Sequence, residues 1–141
     1  MNGYFEELQA KRSAVESLCR RLDELAELAT AIGGFAYDGD VVQGGSHSNK
    51  YERLIIERAD LAESARDLIC EYAKMLTEAY TIAGQIMDDK RREAIMLKYI
   101  EGKEGTRGLA QRWNISEDRA RHICAEAREE FNELKENIDR T

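Results

Sequence analysis

The chain has 141 residues, 35% charged and 43% hydrophobic, with a net charge of −7 and no proline. That composition excludes a wholly disordered chain, allows one modest core or two small ones, and permits long helices that proline would interrupt. No apolar run approaches the roughly 20 residues of a membrane span, and Met1 to Ala10 lacks a basic start followed by an apolar stretch, so a cytosolic location is expected.

Tyr4 to about Ile32 predicts a first helix. Val15, Leu18, Leu22, Leu25, Ala29 and Ile32 step by three and four, and Tyr4 and Leu8 extend the stripe backwards. Such a heptad seam needs a partner helix. Gly33-Gly34 is expected to end the helix, and Gly33 to Lys50, rich in Gly, Ser, Asp and Asn, reads as a connecting loop. Its Gly44-Gly45-Ser46-His47-Ser48-Asn49-Lys50 stretch lacks P-loop spacing and follows no strand, so a linker is preferred to a phosphate cradle or a docking loop.

The second helix, about Tyr51 to Met87, carries Tyr51, Leu54, Arg58, Leu61, Ala65, Leu68, Tyr72, Met75, Ala79, Ile82 and Ile86 on one seam. At about 1.5 Å per residue it is a rod of roughly 55 Å. Ile55, Ile69, Leu76 and Ala83 widen the stripe beyond what the first helix can cover, so a homodimer through these helices is expected, with packing onto the C-terminal segment as the alternative. Asp88-Asp89 should break or cap the rod.

Asp88 to Phe131 holds the most informative pattern. Ala94, Ile95, Leu97, Tyr99 and Ile100 form one apolar helix, with Trp113 and Ile115 completing a small core. Leu109 to Trp113 reads as a short helix, Trp113-Asn114-Ile115 as a tight turn and Ser116 as the N-cap of a last helix: a helix-turn-helix. Asn tolerates the left-handed backbone of a sharp helix exit, and Glu117 and Asp118 favour the positive end of the helix they begin. Ala120, Ile123, Cys124, Ala127, Phe131 and Leu134 should pack inward, leaving Glu117, Asp118, Arg121, His122, Ala125 and Arg128 outside. Exposed residues at the start of such a second helix are those that reach base edges, so Glu117, Asp118, Arg121 and His122 are the base-reading candidates, Arg121 and His122 foremost.

Charge is uneven along the chain. Residues 1 to 87 hold 9 basic and 15 acidic residues, net −6; residues 88 to 128 hold 10 and 8, net +2; residues 129 to 141 hold 2 and 5, net −3. The single positive segment coincides with the helix-turn-helix, which makes Lys103, Arg107, Arg112, Arg119 and Arg128, with Lys90, Arg91 and Arg92, phosphate-contact candidates. The acidic whole argues for weak affinity.

These residues carry a resemblance. Leu97-Lys98-Tyr99-Ile100-Glu101-Gly102, Leu109-Ala110, Trp113-Asn114-Ile115-Ser116 and Arg119-Ala120-Arg121-His122-Ile123 resemble region 4 of the sigma-70 family. The whole chain, with its Gly/Ser stretch before a long helix, resembles small phage and prophage proteins of sigma-like or late-gene regulator type. The resemblance implies duplex DNA as partner. Two departures stand out: Glu117 occupies a position where the family commonly has a basic residue, which predicts a different sequence preference, and Gly108 falls where a helix former is expected, which predicts a late-starting or frayed helix.

Cys19, Cys70 and Cys124 are far apart and only two histidines exist, so no metal site is expected, and buried reduced thiols are. No nucleophile has a plausible histidine partner, so neither catalysis nor a cofactor is expected. The predicted architecture is all-α: a long antiparallel, coiled-coil-like helical hairpin over 1–87 that dimerises, then a small sigma-region-4-like helix-turn-helix domain over 88–141. The expected function is phage or prophage transcription regulation. The rivals are a protein–protein adaptor, whose rod binds RNA polymerase or another phage protein without DNA contact, and a DNA-packaging adaptor.

Overall fold

A computed structural model describes residues 3–37 and 45–140, all helical apart from short connections, with no strand among them. The elements are α1 (Tyr4–Tyr37), α2 (Gly45–Gly84), α3 (Asp89–Glu93), a π-helical stretch continuing α3 (Ala94–Ile100), α4 (Thr106–Trp113) and α5 (Glu117–Arg140). No described helix is long and apolar enough to cross a membrane.

The loop predicted over Gly33 to Lys50 is helical at both ends. α1 runs through Gly33-Gly34 to Tyr37 and α2 starts at Gly45, so Gly45 to Lys50 form its first turns; residues 38–44 lie outside the described residues. A helical glycine costs only about 1 kcal/mol relative to Ala. Two glycines therefore do not by themselves stop a helix of 34 residues.

By internal contact the chain forms two compact units, Ala10–Tyr72 and Met1–Gln9 with Ala73–Thr141, rather than dividing at residue 87. In the first, Lys11 pairs with Glu71 at 3.4 Å and Arg21 with Glu57 at 3.2 Å, while Arg12 Nε donates to Tyr72 Oη at 3.0 Å. Partners that climb α1 thus descend α2. Leu25, Ala29 and Ala65 are buried between them, with Val15, Leu18, Leu22, Leu54, Leu61 and Leu68 half-buried. Arg58, the one charge on the predicted seam, is exposed, as its desolvation cost requires.

The second unit is built on rings. Phe5 lies with its centroid 4.5 Å from Phe131 and stacks on Tyr99 at 4.9 Å, while Tyr4 lies 5.4 Å from Phe131. Around them Leu8, Ile82, Ile86, Ile95, Ile100, Leu109 and Cys124 are fully buried. Asp88 caps α3 by accepting from the Arg91 amide at 3.0 Å. The following π-helical turns displace carbonyls from the usual ladder. Gln9 Nε2 donates to two of them, Tyr99 O at 2.8 Å and Ile100 O at 3.2 Å.

Cys124 is buried, but Cys19 and Cys70 are exposed, contrary to the expectation of three buried thiols. Both lie at the edge of their apolar stripes, where helical rotation carries a side chain to solvent. Burial holds the Cys124 thiol above its ordinary pKa. Two thiols should therefore react with Ellman's reagent in the native protein, and all three in urea. Gln9→Leu should lower stability by about 1–3 kcal/mol, because the Tyr99 carbonyl loses a donor inside the fold. Phe131→Ala should cost about 3–5 kcal/mol. Urea denaturation followed by circular dichroism reads both.

Candidate nucleic-acid interface

α4 and α5 meet through a turn whose backbone demands its residues. Asn114 has φ 57° and ψ 48°, the one left-handed non-glycine conformation among the described residues. Its amide donates to Gln111 O at 3.2 Å and the Ile115 amide to Ala110 O at 3.0 Å, closing the carbonyl end of α4. Ser116 then opens α5, its Oγ accepting from the Arg119 amide at 3.2 Å. These two side chains set the direction in which α5 leaves the turn.

α4 begins at Thr106 and contains Gly108, so that glycine neither delays nor frays the helix. The absent Cβ is space taken by the Glu104 carboxylate. Trp113 is half-buried rather than a deep plug. Its indole N–H donates to Glu93 Oε2 at 2.8 Å, and Arg112 Nε approaches the same oxygen at 3.4 Å. A polar edge at the rim of the core satisfies the indole nitrogen.

On α5, Ala120, Cys124, Ala127 and Phe131 are buried, while Glu117, Asp118, Arg119, Arg121, His122 and Ala125 are exposed. Arg121 is held on its own helix, 3.0 Å from Asp118 and 3.9 Å from Glu117. Such exposed pairs are worth only about 0.2–1 kcal/mol each. The Arg121 guanidinium can therefore be drawn away by a stronger acceptor, such as a guanine edge or a phosphate.

The predicted phosphate contacts separate into two groups. Arg107 and Arg119 are exposed with no ion pair to a described residue, and Lys90 is alike. Lys103 pairs with Glu101 at 3.1 Å and Arg112 with Glu93, both remaining largely exposed. Arg128 is engaged within the fold. Expected on the outer face, it is half-buried, 2.6 Å from Glu6 Oε1, with its guanidinium 5.9 Å from the Phe5 ring centroid and 5.6 Å from that of Tyr99. Leaving these partners for a phosphate would forfeit the pair with Glu6 and the contact over the two rings.

Arg91 and Arg92 are likewise paired within the fold. Arg91 reaches Glu126 at 2.8 Å and Glu130 at 3.2 Å, tying α3 to α5. Arg92 donates to Ile86 O at 2.9 Å and pairs with Asp89. Phe5, Glu6 and Gln9, which position this assembly, are absent from the sequence reading. Only the backward extension of the first stripe through Tyr4 and Leu8 hinted at them.

Comparisons of the chain with protein-family models, curated proteins and solved structures find no match. Among the described residues no cluster of His, Cys, Asp and Glu could hold a metal ion.

Its hydrogen bond from Arg128 holds Glu6 below the ordinary glutamate pKa of 4.5. The folded value being the lower one, the pair stabilises above the unfolded pKa and its contribution is lost as pH falls through the folded value. Because Glu6 is mostly exposed, that contribution should be about 0.2–1 kcal/mol. The urea midpoints of the wild type and Glu6→Gln should differ at pH 7 and converge as pH falls through the lowered Glu6 value. At the turn, Asn114→Ala should cost about 1–2 kcal/mol while Asn114→Gly is nearly neutral.

Proposed function

We propose that this chain is a phage or prophage transcription regulator in which an antiparallel helical hairpin carries a sigma-70 region 4-like helix-turn-helix that binds duplex DNA. The observation that supports this reading best is the start of α5. A left-handed Asn114 and a Ser116 cap aim a helix whose exposed first turns carry Arg119, Arg121 and His122. In such a docking, Arg121 leaves Asp118 to donate to a guanine edge, His122 reads the neighbouring base, and Arg119 and Arg107 take phosphates.

Glu117 and Asp118 keep the reading face close to electrical neutrality. They repel phosphate, yet a carboxylate can accept from cytosine N4. In this role they trade affinity for discrimination. A homodimer supplies what one module lacks by offering a second reading helix to a second half-site. The same two acids favour the adaptor reading, in which the first turns of α5 meet a basic patch on RNA polymerase or another phage protein rather than DNA.

Fluorescence anisotropy with duplexes selected from phage genomic DNA separates the two. In the DNA-binding reading, Arg121→Ala weakens the selected duplex more than random DNA, whereas Arg119→Ala weakens both about equally. With two to four phosphate contacts per module, log K should fall with log salt at a slope of about −2 to −4. Glu117→Gln should raise affinity for random duplex. Absence of binding to any selected duplex at low salt would favour the adaptor.

A further inference from the structure

α2 carries a second heptad seam about 100° round the helix from its buried one, each member following a buried-seam residue by one position. Ile55, Ala59, Ala62, Arg66, Ile69 and Ala73 follow one another at intervals of four, three, four, three and four, and every one is exposed, Ile55 at 45% and Ile69 at 40%. Its large and small members alternate in a way that fits an inverted copy of itself. About a two-fold axis at residue 64, Ile55 meets the second copy's position 73, an alanine; Ile69 meets position 59, also alanine; and Arg66 meets position 62, again alanine. Small residues opposite large ones let two helices approach closely without clash or void.

Charge selects the same arrangement. Arg66 and Glu63 are exposed and unpaired within the described chain. In the inverted register each Arg66 lies one residue in height from Glu63 of the other copy, giving two alternating opposite-charge contacts at the axis. A parallel pair would instead set Arg66 against Arg66. Sliding one heptad in one direction would place Ile55 opposite Arg66, and sliding in the other would separate Arg66 from Glu63. Beside the seam, Ile56, 61% exposed, comes next to Cys70 of the second copy.

We infer that this outer face of α2 is the self-association surface of the protein, two copies pairing antiparallel with Ile55 over Ala73, Ile69 over Ala59 and Arg66 against Glu63. The inference rests on the homodimer in the reading above and not on its DNA contact. The paired stretch, 19 residues or about 28 Å of helix, is short, so the association is expected to be weak.

Analytical ultracentrifugation of the full chain without DNA tests it. The wild type should sediment as a concentration-dependent monomer–dimer at 5–200 μM, a span of roughly this expected affinity. Arg66→Glu and Glu63→Arg, both at exposed positions that leave the helical content unchanged, should each be monomeric. The double variant Glu63→Arg/Arg66→Glu should recover the dimer, and an equimolar mixture of the two single variants should form a heterodimer. In a Cys19→Ser/Cys70→Ser background, Ala59→Cys/Ile69→Cys should oxidise to a disulfide-linked dimer, while Ala59→Cys alone should not.

A monomeric wild type, a single charge reversal that leaves the dimer intact, or cross-linking by Ala59→Cys alone would each overturn the inference. Because no DNA is present, a failure here is distinct from a failure to bind DNA, which the anisotropy experiment reads separately.

Discussion

The packing of Phe5 between Phe131 and Tyr99 is the contact on which the C-terminal unit depends. Without the start of α1, Phe131 of α5 would lose its ring neighbours Tyr4 and Phe5. The first two turns of α1 therefore complete a core whose other walls lie more than 70 residues away in sequence. Two polar contacts fix the register of that closure. Gln9 reaches the π-helical carbonyls and Arg128 bridges Glu6 over the rings. An apolar contact alone would tolerate a slide along the helix; a side-chain amide shared by two adjacent carbonyls does not.

This dependence explains why the C-terminal unit was only half legible in the sequence. Local rules sufficed where one residue type answers one backbone need: Asn114 for a left-handed exit, Ser116 and Asp88 for free amides, the three-four stripes for buried faces. They failed where the deciding partner is distant. Nothing near Phe5 says that its ring belongs with Phe131, and nothing in Ala94 to Ile100 distinguishes π-helical turns from ordinary ones, because the cost of widening is offset by Gln9 from another helix. Gly33-Gly34 misled for the opposite reason. A weak local preference against helix was read as a stop, although a stop needs a positive alternative such as a cap or a left-handed turn.

Charge obeys the same logic. Summing signs over residues 88 to 128 leaves out that Arg91 and Arg128 are held by carboxylates from distant parts of the chain and Arg92 by Asp89 and the Ile86 carbonyl close by. Guanidinium groups suit this task, since the planar fork serves several acceptors at once and stacks on rings. What remains outside is a smaller set, Lys90, Arg107 and Arg119 with the loosely held Lys103, Arg112 and Arg121, most of it on α4 and the start of α5. A segment's net charge is thus a poor guide to a binding face; the charge left over after internal pairing is the relevant quantity.

That leftover charge bears directly on how such a module could select a target. Electrostatic attraction to phosphate is blind to sequence, and a strongly basic face spreads a protein over all available duplex. A face on which Glu117 and Asp118 balance the arginines gives up most of that attraction, so discrimination between targets rests on short-range donor and acceptor matches. The loss in affinity can be recovered without restoring the charge. Two weak modules joined through their helices act at the effective concentration set by their connection, and the gain applies only where two targets have the matching spacing. Acidic composition and a small leftover cationic face are therefore compatible with selective binding, provided that the protein is multivalent, and the unpaired outer seam of α2 supplies a surface by which it could be.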